Sequence, residues 1–510
     1  MKSILKTFKP ILEERLRNDS LLEKLTNPEE AAKFVQDGMI VGTSGFTFAG
    51  YPKIIPAEIA KRAKNGENIG ITLITGASVG DELDGELARA GVIKKRYPYQ
   101  TNKDMRNAIN RGEIEYSDFH LSQIPQYIKN GFFEPIDIAI IEAVAIDEDG
   151  NIIPSMSVGC SNILTEYAKE VIIELNLSQP LALEGIHDIY SPAKPPATEP
   201  IPIVRANNKI GMPYIKCDPS KIKAIVVTNT PDKGKIVTPV DDNSKKMANH
   251  LIGLFNSEIE KGRMTHNLRP LQSGVGNVAN AIMAGLIDSE FNNLTLYSEV
   301  LQDAVLDLIC HKKVKFASAT AFTLSPTKQE YFYKNIYKYK DKIILRPQEI
   351  SNHPEVIRRL GIIAVNTAIE VDIYGNVNSS NIEGSRMMNG IGGSGDFARN
   401  ALLTIFTTPS TAKNGLISSI VPFVTHVDHT EHDVNIVITE QGLADLRGLS
   451  PKERALEIIN NCAHPKFKDK LLEYFEDAYK NCKYKHTPHN FEKALQFNKI
   501  EDKQSKKGEK

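Results

Sequence analysis

The stretch Asn293–Ile309, NLTLYSEVLQDAVLDLI, changes its hydrophobic period in the middle. Leu294 to Tyr297 are apolar, β-branched or aromatic, which predicts a short buried strand, whereas Val300 to Leu308 carry apolar residues at helical spacing. Glu299 lies between the two patterns, and the carboxyl ends of strands line the ligand crevice of open α/β sheets. Glu299 is therefore a candidate for chemistry. The alternative is that Ser298 caps a helix and Glu299 only complements the helix dipole.

Length and composition describe an ordinary globular protein. At about 150 residues per domain, 510 residues predict two to four folding units. With 62 basic and 63 acidic residues, the net charge of -1 gives no global field that would hold nucleic acid or an anionic membrane. The absence of a long apolar run or a secretory signal predicts a soluble, cytoplasmic protein. The five cysteines are scattered without a C-x-x-C pair, which predicts reduced thiols.

The first half alternates strand, small-residue loop and helix. Met39–Val41 reads as a strand that runs into the glycine-rich loop Gly42–Gly50, and Ile69–Ile74 reads as a strand before the loop Gly76–Gly80. A helical pattern follows each loop. This repeated order is typical of a parallel α/β sheet.

A weak internal repeat relates the two halves. Ile138–Ile152 and Ile363–Val377 are identical at six of fifteen positions, including the Asp, Gly and Asn of a predicted turn. Five prolines in residues 191–202 exclude a helix or central strand there. We predict two tandem, related open α/β domains and a disordered charged tail: 1–221, 222–497 and 498–510.

Two glycine-rich segments are candidate ligand loops. Gly274–Ala279 matches the G-x-G-x-x-A dinucleotide fingerprint, but the preceding Leu268–Ser273 contains Pro270 and is not a convincing strand, so a nicotinamide oxidoreductase is only weakly supported. Gly390–Asp396 precedes the helix-like Phe397–Leu403 and would offer backbone amides to an anion, although a simple turn also fits.

Acidic and histidine residues crowd together near residue 430 without a metal-binding spacing. The segment has neither H-E-x-x-H nor a catalytic zinc pattern. We predict a polar loop with internal hydrogen bonds and no metal for this group: His426, Asp428, His429, Glu431, His432 and Asp433.

Five motifs, in one order and at consistent spacing, carry a family resemblance: Gly42-Thr-Ser-Gly-Phe-Thr with Gly50-Tyr-Pro-Lys53, Ser273-Gly-Val-Gly-Asn-Val-Ala-Asn280, Tyr297-Ser-Glu-Val-Leu-Gln-Asp303, Gly390-Ile-Gly-Gly-Ser-Gly-Asp-Phe397 and Thr439-Glu-Gln-Gly-Leu-Ala-Asp-Leu-Arg447. From about Leu12 to about Tyr484 the chain resembles the acetyl-CoA hydrolase/transferase family of class I CoA-transferases, and within it the succinyl-CoA:acetate CoA-transferases. The resemblance implies two tandem α/β domains with the active site at their interface. It also implies a homodimer that works without a metal.

The resemblance implies that CoA moves between a short-chain acyl-CoA, succinyl-CoA or acetyl-CoA, and a free acetate or succinate. Glu299 would carry the CoA as a glutamyl thioester, a form of nucleophilic catalysis. Backbone amides of Val275 and Gly393 would stabilise the oxyanion. By family match, the CoA-binding positions are Gly274, Val275, Gly276, Asn277, Val278, Asn389, Gly393 and Lys413.

Asn352 and Glu440 match positions near the carboxylate of the acyl group. Close relatives carry an arginine where this chain has Lys233, and lysine lacks the bidentate contact that arginine makes with a carboxylate. An acetyl-CoA hydrolase would use the same Glu299 but admit water, and a propionyl-CoA:succinate CoA-transferase is a further alternative.

Overall fold

A computed structural model describes residues 11–234, 239–274 and 276–505. The chain divides into two compact units that are not consecutive in sequence. The first unit draws on Met1–Ile236, Leu296–Ile309 and Lys315–Leu360, and the second on Val237–Thr295, Cys310–Val314 and Gly361–Lys510. The first unit therefore includes the segment around Glu299.

The first unit contains an eight-stranded sheet. Its strands are β1 (Leu25–Thr26), β2 (Ile40–Thr43), β3 (Ile71–Ile74), β4 (Ile93–Tyr97), β5 (Glu115–Tyr116), β6 (Ile138–Ala143), β7 (Glu170–Asn176) and β8 (Ile222–Thr228). They are hydrogen-bonded in the order β1-β8-β7-β6-β2-β3-β4-β5, and every neighbouring pair is parallel. The parallel α/β sheet expected from the strand–loop–helix order is confirmed. Ile222, where we predict the second domain to start, begins a strand of this sheet.

Helices and a continuous apolar core accompany the sheet. Val41, Leu73 and Ile140 from the strands are buried in one cluster with Ile55 and Ile59 of a flanking helix. Such burial is worth about 1.5–3 kcal/mol for each large side chain. The helices are Pro28–Ala32, Ile54–Lys64, Glu86–Arg89, Lys103–Asn110, Gln123–Lys129, Ser161–Tyr167, Asp303–Cys310, Pro326–Lys334, Ile336–Tyr339, Gln348–Ser351 and Pro354–Leu360.

The opening stretch differs from its prediction at one point. Leu294–Tyr297 is a strand, as expected, but the following helix begins only at Asp303. Val300–Leu301 is extended because it forms a parallel pair with Ala321–Phe322. Ser298 is therefore not the cap of this helix. Farther along the same unit, Val314–Ala319 pairs through its last three residues with the strand Ile343–Leu345.

Five strands of the second unit are neighbours in chain order: β9 (Leu271–Ser273), β10 (Ile363–Thr367), β11 (Leu403–Thr407), β12 (Ile436–Ile438) and β13 (Leu443–Asp445). The first four are parallel and the last pair is antiparallel. Leu268–Ser273 was not a convincing strand by sequence, and this expectation is wrong for its second half, because Leu271–Ser273 is the strand β9. Pro270 precedes β9 and takes part only through its carbonyl, which accepts from the Ile363 amide at 2.9 Å.

The helices of the second unit are Asp242–Glu260, Asn277–Asp288, Ser394–Asn400, Pro451–Cys462, Pro465–Asn481 and Phe491–Ser505. The helix predicted over Phe397–Leu403 lies earlier, and Leu403 starts a strand. The apolar face of Pro465–Asn481 packs in the core, through Leu471, Phe475 and Ala478. The last helix covers 498–505 of the segment predicted to be disordered, and 506–510 lie outside the described residues.

The internal repeat forms the same turn in each unit. Asp147 accepts hydrogen bonds from the backbone and side-chain amides of Asn151 at 2.8 and 2.9 Å, and Asp372 does the same with Asn376 at 3.0 and 2.9 Å. The intervening glycines have φ of 87° and 100°, a region that favours glycine. A short antiparallel pair flanks both turns. The identical residues of the repeat are therefore those that hold one turn.

Candidate active site

Glu299 lies directly beyond the carboxyl end of Leu294–Tyr297 and is half-buried. Its backbone carbonyl accepts from the amides of Thr320 and Ala321, at 3.0 and 3.3 Å. One carboxylate oxygen, Oε2, accepts from Asn352 Nδ2 at 2.8 Å. The structure therefore brings together two residues that the sequence predicts for the site, and two backbone hydrogen bonds hold the Glu299 carbonyl.

Asn352 is fully buried and follows the short helix Gln348–Ser351. Its amide oxygen accepts from the Ser351 hydroxyl at 2.7 Å, which leaves the NH₂ group to face Glu299. The helix start is held by the Gln348 amide, which donates to the Gly159 carbonyl at 2.8 Å. Asn352 is thus a preset donor to one oxygen of the Glu299 carboxylate.

Both glycine-rich loops of the first unit pack against this segment. Val300 and Ala321 share a buried cluster with Phe46 of the first loop and Ala77 of the second. The second loop comes so close that a Cβ on Gly76 would lie 2.9 Å from Gln348 Oε1. Glycine is required there because no side chain fits, and the loops therefore frame the Glu299 region closely.

A buried ionic network supports the first of these loops. Lys53 Nζ lies 2.5 Å from Glu142 Oε2 and 2.8 Å from Asp232 Oδ1, and all three side chains are almost completely buried. Glu142 also accepts from the Ser155 hydroxyl at 2.7 Å. Burial alone would lower the pKa of Lys53, but the two carboxylates outweigh it and hold the pKa above its usual value. Burial raises the pKa of Glu142 to about 7 despite Lys53.

Lys233 follows the network residue Asp232 and extends to a different partner. Its ammonium lies 2.6 Å from Glu82 Oε1, and its side chain is 74% exposed whereas that of Glu82 is 15% exposed. The Tyr51 hydroxyl donates to the other Glu82 oxygen at 2.9 Å. The lysine expected near the substrate carboxylate is therefore paired with a protein carboxylate in this structure.

In the second unit, the predicted CoA loop follows β9. The Gly274 amide donates to the Val365 carbonyl at 2.9 Å, and Gly276, with φ of 119°, directly precedes the helix Asn277–Asp288. Val278 is buried in the first turn of that helix. Val275 lies outside the described residues, and only the backbone of Asn277 is described.

The remaining predicted residues of the second unit lie on separate segments. Gly393 is the N-cap of Ser394–Asn400, and the half-buried Asn389 precedes the same glycine-rich segment. Lys413 lies in the exposed turn between the short strands Thr411–Ala412 and Ile417–Ser418.

Glu440 follows β12 and is hydrogen-bonded on both oxygens. The Ser410 amide donates to Oε2 at 2.8 Å, and the Gln441 side chain donates to Oε1 at 2.9 Å. Burial raises the pKa of Glu440, but the Ser410 and Gln441 hydrogen bonds outweigh it and leave the pKa below its usual value. Glu440 is therefore a fixed, ionised carboxylate at neutral pH.

The segment near residue 430 is a polar loop, as predicted. Asp428 accepts from the Ser379 amide and the Ser380 hydroxyl, both at 2.7 Å, and His426 Nε2 lies 3.3 Å from the same carboxylate. Among the described residues, no group of three or more His, Cys, Asp or Glu side chains is arranged to hold a metal ion. Within the same residues, no helix is both long enough and apolar enough to cross a membrane.

Solved structures with this fold include a CoA-transferase. The chain aligns with the 4-hydroxybutyrate CoA-transferase of Porphyromonas gingivalis at a TM-score of 0.61 and 18% identity, covering 92% of this chain and 99% of that one. RipA from Yersinia pestis aligns at a TM-score of 0.68 and 22% identity, over 92% and 98% of the two chains. These likenesses define the fold as that of CoA-transferases.

The family follows from the sequence matches. Residues 10–227 match the acetyl-CoA hydrolase/transferase N-terminal domain, and residues 329–475 match the C-terminal domain. The chain belongs to the acetyl-CoA hydrolase/transferase family and is an enzyme of the class I CoA-transferase type. It is 55% identical to the succinyl-CoA:acetate CoA-transferase of Clostridium kluyveri over 96% of this chain and 90% of the relative. It is 46% identical to an acetyl-CoA hydrolase of Schizosaccharomyces pombe over 96% and 98%. The predicted resemblance is confirmed.

Two features of the site were not predicted. The Lys53 network has a signal in the sequence, since Glu142 is a lone carboxylate inside the apolar strand β6 and a buried charge needs a partner. Glu82 has no such signal, because it is one of several acids between Asp81 and Glu86.

Proposed function

We propose that this enzyme is a CoA-transferase that moves CoA between a short-chain acyl-CoA, succinyl-CoA or acetyl-CoA, and free acetate or succinate. The observation that carries the proposal is the half-buried Glu299 carboxylate, held at 2.8 Å by Asn352 beyond the end of a strand. The 55% identity to the succinyl-CoA:acetate CoA-transferase of Clostridium kluyveri supports the same acids.

The chemistry requires one carboxylate that first attacks the acyl thioester and is then attacked by CoA at its own carbonyl carbon. A Glu299 oxygen attacks the acyl thioester, which gives a mixed anhydride and CoA thiolate. The thiolate then attacks the glutamyl carbonyl, which gives a glutamyl-CoA thioester and releases the first acid. The incoming acid attacks this thioester, the thiolate leaves and attacks the acyl carbonyl of the new anhydride, and the Glu299 carboxylate is restored. Thioester energy is conserved through all four steps.

Asn352 serves this sequence as a positioning group. It donates to Oε2 at 2.8 Å and so restricts the rotation of the carboxylate that attacks. A held carboxylate attacks faster than a rotating one, because misplacement of a reacting atom by about 1 Å can cost on the order of 10²-fold in rate.

Second-unit residues have the supporting roles that the family match implies. Amides of Val275 and Gly393 would stabilise the oxyanions of the tetrahedral intermediates. Lys413, on an exposed turn, suits a contact with a CoA phosphate. The other proposed CoA-binding positions are Gly274, Gly276, Asn277, Val278 and Asn389, and Glu440 is proposed near the acyl carboxylate.

An acetyl-CoA hydrolase is the second candidate, because the Schizosaccharomyces pombe relative carries that name. Water would then intercept the anhydride or the glutamyl thioester. A propionyl-CoA:succinate CoA-transferase would use the same chemistry with another acid pair. The dinucleotide alternative has no support from the family. The homodimer, the cytoplasmic location and the site between domains stay predictions.

The deciding measurement is turnover of acetyl-, propionyl- and succinyl-CoA with and without a second carboxylate. Turnover that requires the second acid supports the transferase, whereas equal turnover in its absence identifies the hydrolase. Enzyme incubated with acyl-CoA and then treated with borohydride should be reduced at the peptide that contains Glu299, since a thioester is reducible and a carboxylate is not. An unmodified peptide from active enzyme would contradict the covalent mechanism.

A further inference from the structure

Lys233 is expected near the substrate carboxylate, yet its ammonium is engaged by Glu82 at 2.6 Å. Both residues lie in the first unit, as do Glu299 and Asn352. Glu82 follows the loop Gly76–Gly80, and its second oxygen is bound by Tyr51, which follows the loop Gly42–Gly50. The ion pair is therefore held by residues that follow the two loops packed against the Glu299 segment.

The backbone connects the Lys233 loop to that segment. Gly234 is so close to Leu324 that a Cβ on the glycine would lie 2.1 Å from the Leu324 carbonyl oxygen. Leu324 is four residues after Thr320, whose amide donates to the Glu299 carbonyl at 3.0 Å. Four residues of extended chain span at most about 13 Å at about 3.3 Å per residue. The Lys233 loop thus lies beside the chain segment that carries the nucleophile's main-chain contacts.

The two partners of the ion pair differ in how firmly they are held. Lys233 is 74% exposed, so its side chain can move, and pairs between exposed charges are weak. Glu82 is mostly buried and keeps its hydrogen bond from Tyr51. Burial raises the pKa of Glu82, but the bonds from Lys233 and Tyr51 outweigh it, so the pKa stays below its usual value and the group is ionised at neutral pH. An anion that approaches Lys233 therefore meets a fixed negative charge beside it.

We propose that the Glu82–Lys233 ion pair sets the acid specificity of the site, by neutralising the cation that would otherwise receive the second carboxylate of a dicarboxylic acid. The inference rests on the proposed transferase function and narrows its substrate class. A monocarboxylate such as acetate has no second charge to place, whereas succinate must compete with Glu82 for Lys233. The enzyme accordingly favours the monocarboxylic acceptor.

The test compares acetate and succinate as acceptors with one acyl-CoA donor. Glu82→Gln keeps the size of the side chain and the Tyr51 contact but removes the charge. It should raise the succinate-to-acetate ratio of kcat/KM about two- to fivefold, the range of an exposed ion pair, mainly through the KM for succinate. Lys233→Gln should lower the same ratio, because Glu82 then repels the dicarboxylate without compensation.

Glu86→Gln is the matched control. It removes the same charge four residues away, where Glu86 pairs with Lys64 at 2.9 Å and with Arg89 at 3.0 Å, and it should leave the ratio unchanged. Lys233 is exposed, so its variant should fold even if Glu82→Gln does not. The proposal is overturned if the ratio is unchanged in the Lys233 variant, or if both variants move it in one direction. Wild-type turnover with water alone would instead refute the transferase function itself.

Discussion

Glu299 is the proposed nucleophile, and the length and the charge of its side chain can be tested separately. Glu299→Asp keeps the acid but withdraws the carboxylate from Asn352 Nδ2, now 2.8 Å away, and we expect transfer to fall on the order of 10²-fold. Glu299→Ala should fall further, because no nucleophile remains. Acceptor-dependent turnover is the measurement, and acyl-CoA binding should survive in both variants. Near-normal turnover in Glu299→Ala would show that Glu299 is not the nucleophile.

Lys53 is the cation that pairs with two buried carboxylates, those of Glu142 and Asp232. Lys53→Met should lower the free energy of unfolding by about 3–5 kcal/mol, because Glu142 and Asp232 would be left buried without a cation. Urea denaturation measures the loss. Lys61→Met is the matched control on the following helix, where the lysine pairs with exposed Glu29 and should leave the denaturation midpoint nearly unchanged. Equal midpoints for the two variants would show that the buried network contributes little.

At the scale of elements, the helix Asp242–Glu260 is tied to the motif that ends in Arg447. Glu258 is 2.6 Å from Arg263 Nη2 and 2.8 Å from Arg447 Nη2, and the Arg263 and Arg447 hydrogen bonds lower its pKa to about 2. The folded pKa is below the unfolded value of about 4.3, so this stabilisation is complete above about pH 4.3 and is lost as the pH falls through 2.

Glu258→Gln should therefore destabilise the enzyme at pH 7, and the difference from wild type should narrow as the pH falls from 4 toward 2. Denaturation midpoints across this range are the readout. Glu260→Gln removes the same charge from an exposed position at the end of the same helix and should have little effect at any pH. A difference that is constant with pH would mean that the Glu258 charge is not what stabilises the contact.

The secondary-structure elements that were predicted most accurately are those that depend on a single local sequence pattern. The strands predicted at Met39–Val41 and Ile69–Ile74 and their alternation with small-residue loops are local patterns, and they form as expected. The helix after Glu299 starts later than predicted, since pairing of Val300–Leu301 with Ala321–Phe322 competes with helix formation. Pro270 led to a wrong prediction, because a proline next to a short strand is tolerated where no hydrogen bond from its nitrogen is needed.

At the scale of the whole molecule, we expect residues of the two units to affect different kinetic parameters. Lys413→Ala removes a second-unit cation on an exposed turn and should raise the KM for acyl-CoA while changing that for the free acid little. Steady-state kinetics with each substrate varied in turn would measure this. Lys468→Ala, a cation of the same unit whose ammonium donates to the Asn460 carbonyl at 3.0 Å, serves as the control. Equal increases in the KM for both substrates would show that Lys413 does not contact CoA.

The sequence by itself determined the family and the α/β class, and it led to the prediction that Glu299 is the nucleophile. Each of these depends on contiguous motifs or on periodicity, which can be read along the chain because neighbouring residues share one element. The turn shared by the two halves was visible for the same reason, since its hydrogen bonds join residues only four positions apart.

Only the tertiary structure decided which side chains meet. Asn352 contacts Glu299 across 53 positions of sequence, Lys53 contacts Asp232 across 179 positions, and Lys233 pairs with Glu82 although other acids are close in sequence. Such pairings depend on where the strands and loops are placed relative to one another, and charge or polarity along the chain does not encode that choice. The contacts of Glu299, Lys53 and Lys233 are therefore set by tertiary packing, because a polar side chain meets a partner that is distant in sequence only once the chain has folded.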